Sequence, residues 1–334
     1  MKYIQVGVGY RFRRVPVVLG DMDEWECGGV IGRRGKGTGR DPGRTRLTPA
    51  DLKTELGVSL GQTRPDLVVC VAPARSGLTV VKACVEAGVP VLVHPPLLPG
   101  DEWAHLCDSG LVHCGVYPLF PPSNLARLRV IENGDLGSVT QVQVSGTPLY
   151  NAVALMRRFL GVGLENPTES AHRFKGLTLA SLDFGDDRLG IFQVSGHTLG
   201  RGTPAQILIK TTEGEIHGDQ VVHLHEGLIT TTYLTRDPSS PESYVSTSLK
   251  TSHGSYSKIL FGGQVLWTNP FPQMTWSEED LGIAEYLCRL ATHLRGEGPP
   301  PYSLIEGAHD ARLIQSLTHS IRTADDPTDQ ETRH

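Results

Sequence analysis

The chain is expected to fold as an α/β domain with a doubly wound parallel sheet, followed by an α+β domain with an open, mainly antiparallel sheet. Three observations predict this. A hydrophobic strand from Lys2 runs straight into Gly7-Val8-Gly9. Continuous apolar runs then alternate with helical segments up to about residue 120. Beyond about Asp135 these give way to polar/apolar alternation, the mark of antiparallel strands with one buried face.

A strand that ends in two closely spaced glycines and opens a helix lets the backbone approach a pyrophosphate. The helix N-terminus then offers free N–H groups and the positive end of its dipole. The pattern is incomplete here, because Phe12 replaces the third glycine of G-x-G-x-x-G. Gly-x-Gly also occurs in turns that bind nothing. The segment Glu26 to Gly32 reads as a second buried strand, ending about 20 residues after the glycines, where a dinucleotide fold places its ribose-reading residue. The chain has Arg33-Arg34 there instead of an acid, with Lys36 close behind. A guanidinium cannot accept from a 2′-hydroxyl but pairs with a phosphate in a forked geometry. The expected cofactor is therefore NADPH (NADP) rather than NADH. The alternative is a solvated basic loop continuing through Arg40, Arg44 and Arg46.

Thr48-Pro49-Ala50-Asp51 reads as an N-cap with proline in the first helical turn. Asp66 to Ala72 is an apolar run suited to a parallel strand covered on both faces. Ser76 to Ala87 has helical spacing and stops at Gly88. Val89 to Val93 is the next strand, followed by His94-Pro95-Pro96, and Val112 to Tyr117 reads as one more. In the second half, Ser138 to Ser145, Asp187 to Ser195, Ala205 to Thr211, Glu215 to His225 and Gly227 to Thr235 alternate as strands. Asn151 to Leu160, Ser277 to Arg295 and Leu304 to Ile321 read as amphipathic helices. The expected domains are 1–120, a dinucleotide-binding unit, and 121–325, a substrate and dimerisation unit, with a polar tail at 326–334.

Bulk properties narrow the function. A chain of 334 residues accommodates two domains, and 39% hydrophobic with 20% charged residues is ordinary for a soluble globular protein. A formal charge of −5 argues against nucleic-acid binding. No apolar run approaches the roughly 20 residues that span a bilayer, and the first residues carry no export pattern. Cysteines 27, 70, 84, 107, 114 and 288 are scattered without a C-x-x-C pair, which fits reduced thiols and a cytoplasmic location. His223 and His225 alternate on one strand and share a face. With no third ligand at a recognisable spacing they read as sheet surface, and no metal is expected.

This arrangement resembles the glucose-fructose oxidoreductase/inositol dehydrogenase superfamily. The resemblance rests on the opening glycines, Val68-Val-Cys-Val-Ala-Pro73, Glu86-Ala-Gly-Val-Pro-Val-Leu-Val93 and Ile131-Glu-Asn-Gly-Asp-Leu-Gly-Ser-Val139. Two departures matter. Most of the superfamily carries Glu-Lys-Pro where this chain has His94-Pro95-Pro96, so the lysine is absent. The usual Asp-x-x-x-His element should fall near Leu149 to Val153, which holds no histidine. A sugar dehydrogenase needs a base to take the hydroxyl proton, and both usual candidates are gone.

At these positions the chain is similar to the thiazolinyl imine reductases of siderophore assembly. The similar stretches are Val91 to Leu97, Gly115-Val-Tyr-Pro-Leu-Phe-Pro-Pro122, Asn151 to Gly161 and Gly262-Gly-Gln-Val-Leu-Trp267. That resemblance implies NADPH-dependent reduction of a thiazoline carried on a nonribosomal peptide synthetase, by a homodimer. Imine reduction needs a proton donor and no base, which suits a site lacking lysine and histidine. Tyr117 and His94 are the candidate acids, a phenol with reference pKa about 10 and an imidazole. Each has a plain alternative, as a core phenol or a strand-end cap. Cofactor-lining candidates are Gly7, Gly9, Tyr10, Arg11, Arg33, Arg34, Lys36, Pro73, Ala74, Arg75 and Pro95. For Arg75, simple exposure stays open. The runner-up readings are a sugar or cyclitol oxidoreductase using His94 or His172, and a non-catalytic cofactor-binding protein.

Overall fold

The computed structural model describes residues 1–7, 14–32, 49–72, 74–94, 106, 108–175, 177–195, 205–238 and 256–323. The chain divides into two compact units: Met1–Val116 with Ile283–Ala311, and Tyr117–Gly282 with Arg312–His334.

The first unit holds a five-stranded parallel sheet of order β2-β1-β3-β4-β5. Its strands are β1 (Lys2–Val6), β2 (Glu26–Ile31), β3 (Leu67–Cys70), β4 (Val91–Val93) and β5 (Val112–Cys114). Helices α1 (Arg14–Asp21), α2 (Pro49–Thr63) and α3 (Ala74–Glu86) alternate with them. Every residue of β3, β4 and β5 is buried, as the uninterrupted apolar runs of β3 and β4 require of strands with no solvated face; β5 buries His113 between Val112 and Cys114.

Two expectations are corrected here. The second strand is not buried: β2 pairs only with β1 at the sheet edge, and Glu26, Cys27, Gly28 and Val30 are exposed. Its Gly28-Gly29 pair has no side chain to bury. The strand expected to reach Tyr117 stops at Cys114, and Tyr117–Leu119 form a single 3-10 turn closed by the Phe120 N–H on the Tyr117 carbonyl, 2.8 Å. The Gly115 N–H still donates to the Val93 carbonyl at 2.8 Å, but the Val116 N–H turns back onto the Cys114 carbonyl at 3.0 Å, and pairing ends there.

The first unit also takes in chain that returns from the far end of the sequence. Helix α6 (Glu278–Leu294; in this numbering α4 is Pro122–Glu132 and α5 is Leu149–Leu160) belongs to it from Ile283 onward. Its Tyr286 is fully buried and donates to the Cys114 carbonyl at 2.7 Å. His293 meets His113 of β5 edge-on, ring centroids 5.3 Å apart, and Arg295 beyond the helix pairs with Glu24.

The second unit is built on an eight-stranded sheet, order β13-β12-β11-β10-β6-β9-β8-β7. These strands are β6 (Val139–Ser145), β7 (Thr168–Phe174), β8 (Leu177–Asp183), β9 (Leu189–Ser195), β10 (Gln206–Thr211), β11 (Gly214–His217), β12 (Gln220–His225) and β13 (Leu228–Tyr233). All neighbours are antiparallel except β6 and β9. Helix α5 covers one face, setting Ala152, Leu155, Met156 and Phe159 against the side bearing Val142, Val144 and Phe192. The opposite face carries a Gln143–Gln193 side-chain bond and exposes Leu224, Ile229 and Tyr233. Strands β14 (Thr235–Pro238), β15 (Tyr256–Phe261) and β16 (Gln264–Thr268) form a separate antiparallel sheet packed by α4. The last helix, α7 (Leu304–Thr323), enters this unit at Arg312.

The sequence stretch 215–225, expected as one strand, is divided between β11 and β12 by a turn at Gly218-Asp219, where Gly218 has φ +60°. Strands β7, β8 and β15 and helix α4 were not anticipated.

Candidate functional site

In the first unit the chain passes from β1 to β2 on one side, then crosses to β3 on the other. The carboxyl ends of β1 and β3 therefore flank the switch point at which open α/β sheets bind ligands. Gly7 sits there, with φ +93°. Its N–H donates to the Ile31 carbonyl at 2.7 Å, the Val71 N–H donates to the Val6 carbonyl at 2.7 Å, and Gln5 Nε2 donates to the Gly7 carbonyl at 2.7 Å. A Cβ on residue 7 would lie 3.0 Å from both the Val71 carbonyl carbon and the Ala72 nitrogen. Only glycine fits a left-handed turn this close to a second backbone. The result is a cradle of bare main chain at the mouth of the sheet.

Helix α3 opens at Ala74, shortly after β3, so its first N–H groups, which have no partner within the helix, and its positive dipole end lie at the same edge. Beneath it, burial pushes the Cys70 thiol up to about 11, only partly opposed by the Ala72 backbone. That thiol stays protonated near neutrality and is no nucleophile. His94 follows β4 at this edge and is half-buried. Of the other expected cofactor-lining residues, Gly9, Tyr10, Arg11, Arg33, Arg34, Lys36, Pro73 and Pro95 lie outside the described residues. For Ala74 and Arg75 only the backbone, at the start of α3, is described.

Tyr117 belongs to the second unit, where only 8% of its surface is exposed. The 3-10 turn that carries it packs on α5, and Asn124 Nδ2 donates to the Pro118 carbonyl at 2.6 Å. Asn151, in the first turn of α5, bonds to Thr147 Oγ1 at 3.1 Å. His172 is exposed on β7.

Two constellations escaped the sequence. One is an ion network inside the second unit. Asp219 accepts from Arg236 at 2.6 and 3.2 Å, and Arg236 also lies 3.5 Å from Glu278. Glu278 accepts from Tyr256 Oη at 2.9 Å and the Ser123 N–H at 3.1 Å. Arg127 donates to the Gly218 carbonyl at 2.9 Å and to Asn124 at 2.6 Å. Desolvation drives the Arg127 pKa down. For Arg236 desolvation is outweighed by Asp219 and Glu278, and its pKa rises; burial and Glu278 raise that of Tyr256. Two cations and two carboxylates balance, so the cluster reads as a structural clasp between the β11–β12 turn, β14, β15 and the start of α6. The other constellation is Glu213 beside His223 and His225, all three with ligand atoms within 4.8 Å of one another. Glu213 lies ten residues before His223, and only the hairpin register brings them together.

No family model matches the chain, and no curated protein does. Solved structures do share its fold along nearly the whole length. An oxidoreductase from Sinorhizobium meliloti superposes with TM-score 0.65 at 17% identity, covering 97% of each chain. An oxidoreductase from Agrobacterium radiobacter, solved with NAD+, L-tartaric acid and magnesium, gives 0.62 at 14% identity, covering 96% of each. UDP-N-acetylglucosamine 3-dehydrogenase GnnA from Acidithiobacillus ferrooxidans gives 0.63 at 12% identity, over 97% of this chain and 98% of that one. The expected fold class is thus the observed one. Among the described residues, no helix is long and apolar enough to cross a membrane.

Proposed function

We propose that this chain is an NADPH-dependent oxidoreductase that reduces a cyclic imine, a thiazoline to a thiazolidine, on an intermediate tethered to a nonribosomal peptide synthetase carrier protein in the cytoplasm. The observation that carries the reading is the Gly7 cradle at the switch point, bare backbone beside the open N-terminus of α3. A dinucleotide pyrophosphate fits such a place because residue 7 has no side chain to hold it off, and the N–H groups and dipole at the start of a helix favour anions. The A. radiobacter structure, which shares the fold, was solved with NAD+, and this supports a nicotinamide dinucleotide here.

The chain's own groups then divide the work. Gly7, with Gly9, Tyr10 and Arg11, would form the phosphate turn. Arg33, Arg34 and Lys36 would hold the 2′-phosphate by charge-assisted bonds, and Pro73, Ala74, Arg75 and Pro95 would line the cofactor. When bound in reduced form, the nicotinamide supplies a hydride equivalent. The protein's remaining task is to place a proton on the imine nitrogen. His94, half-buried at the carboxyl edge of the first unit's sheet, is the donor in this reading, and the phenol of Tyr117 is the second candidate acid. General acid help of this kind is worth about 10²–10⁴-fold. The exposed apolar groups Leu224, Ile229 and Tyr233 on the open face of the large sheet suit a homodimer contact.

The test is turnover. Purified protein with NADPH and a thiazoline analogue should lose absorbance at the reduced nicotinamide band, and His94→Ala should slow it at least 100-fold with NADPH binding kept. Turnover of a sugar nucleotide and none of any cyclic imine would instead favour a sugar oxidoreductase, the activity named for the A. ferrooxidans protein of the same fold. Tight NADPH binding without turnover of either would leave a cofactor-binding protein.

A further inference from the structure

We propose that Glu213, His223 and His225 form a zinc site on the second unit, independent of the reductase reading. Three features of the backbone bring these residues together. Thr212-Glu213 is the two-residue turn of the β10–β11 hairpin, between Thr211 and its partner Gly214. Gly214 faces His223 across the β11–β12 ladder, and the Leu224 N–H donates to the Glu213 carbonyl at 2.7 Å, which docks the turn onto β12. At the far end of β12, His225 pairs with Leu228 across Glu226-Gly227, whose φ values of +49° and +80° make a turn with both central residues left-handed. His225 is thereby fixed as the last strand residue before a tight turn. Gly214 is required in its place, because a Cβ there would sit 2.1 Å from the Val222 carbonyl oxygen.

The side-chain geometry is that of a ligand set. Residues 223 and 225 project to the same side of the strand, the side on which Val221 is buried and opposite the exposed Leu224. Their imidazole centroids are 5.7 Å apart and tilted by 37°. His223 Nε2 lies 3.8 Å from Glu213 Oε2. That is too far for a hydrogen bond, and close to the ~3.4 Å edge expected between two ligands about 2.1 Å from a tetrahedral zinc. This Nε2 is also a buried atom with no hydrogen-bond partner. A buried ring nitrogen left unsatisfied costs free energy that a bound cation would recover.

Two imidazoles and one carboxylate select a borderline first-row divalent ion over magnesium or calcium, which want all-oxygen shells. Three protein ligands leave one tetrahedral position for water. Zinc here would tie the β10–β11 turn to β12 and stiffen the β12–β13 edge of the sheet.

The experiment uses the full chain stripped with a chelator, then titrated with Co(II) as a spectroscopic probe and with Zn(II) in competition. The proposal expects one equivalent of Co(II) showing the intense d–d absorption of a low-coordinate site, displaced by Zn(II). His223→Ala and His225→Ala should each weaken that equivalent at least tenfold, and Glu213→Gln at least threefold. Zinc should raise the melting temperature of the parent protein and not of the double-histidine variant. Glu213 and His225 are exposed, so their replacement leaves the fold intact, as circular dichroism would verify. The chain holds 13 histidines, so binding that survives the double-histidine variant with unchanged stoichiometry and affinity places the metal elsewhere and overturns the proposal. So does a parent protein that takes up no ion.

Discussion

Lowering the pH from 7 to 5 should unload a defined part of the first unit's stability through one residue, His113. It stands in the middle of β5, only 3% exposed, with the ring of His293 edge-on 5.3 Å away. Burial, reinforced by that second imidazole, pulls its pKa down from 6.5 to about 4. In the unfolded chain the same ring protonates near 6.5. Between those two values the unfolded state binds the extra proton, so stability rises with pH across the window. The stabilisation is fully present above about pH 6.5 and is lost as the pH falls through about 4. With those two constants, linkage gives a loss of about 2 kcal/mol between pH 7 and pH 5, and about 3 kcal/mol by pH 4. Urea unfolding at pH 7 and pH 5, followed by circular dichroism, measures the sum over all titrating groups. His113→Leu, in which only this group is removed, isolates the share. The parent should lose about 2 kcal/mol more than the variant over this interval, with an imidazole NMR titration of His113 placing its midpoint near 4. Equal losses in the two proteins, or a midpoint above 6, would refute the argument that burial keeps this ring neutral.

Gly7→Ala should cost about 2 kcal/mol from the left-handed turn alone and, because its methyl meets the Val71–Ala72 backbone, lower NADPH affinity at least tenfold in a fluorescence titration. Arg33→Asp should cut NADPH affinity by a large factor and leave NADH affinity unchanged or improved, and equal affinities in the parent would remove the 2′-phosphate argument. Glu278→Ala should destabilise the second unit by about 3 kcal/mol, since it strips the acceptor shared by Tyr256, Ser123 and Arg236 and leaves a cation uncompensated. Tyr256→Phe removes one bond from the same carboxylate and should cost only about 1 kcal/mol.

Much of the first unit was legible because parallel strands write themselves plainly. Leu67 to Cys70 and Val91 to Val93 are uninterrupted apolar runs, and both are wholly buried. Glu26 to Ile31 misled the reading for a local reason: Gly28-Gly29 looks apolar by composition yet offers nothing to bury, so the strand could lie at an edge. Val112 to Tyr117 has the composition of a strand, but the Val116 N–H turns back onto the Cys114 carbonyl, a local bond that composition does not reveal. In the second unit, Thr168 to Phe174 went unseen since its outward residues, from Thr168 to His172, are polar and its inward ones modest. The site divides in the same way. Gly7 stands out by its Gly-x-Gly spacing, although part of what requires glycine there, the Val71–Ala72 backbone, is brought alongside only by the fold. Glu213 was invisible beside His223 and His225, because ten residues of sequence become adjacency only through the turn at Thr212 and the register of β11 on β12.

The return of residues 283–311 to the first unit bears on how the protein is made. When a ribosome has delivered the parallel strands through Cys114, the surface that receives Tyr286 and His293 has nothing to cover it, and it stays bare while more than half the chain is still to be translated. The first unit begun is thus completed only when residues 283–311 emerge, after the intervening sheet has had time to form. Nascent chains halted before residue 283 should accordingly recruit holdase chaperones that the finished protein ignores.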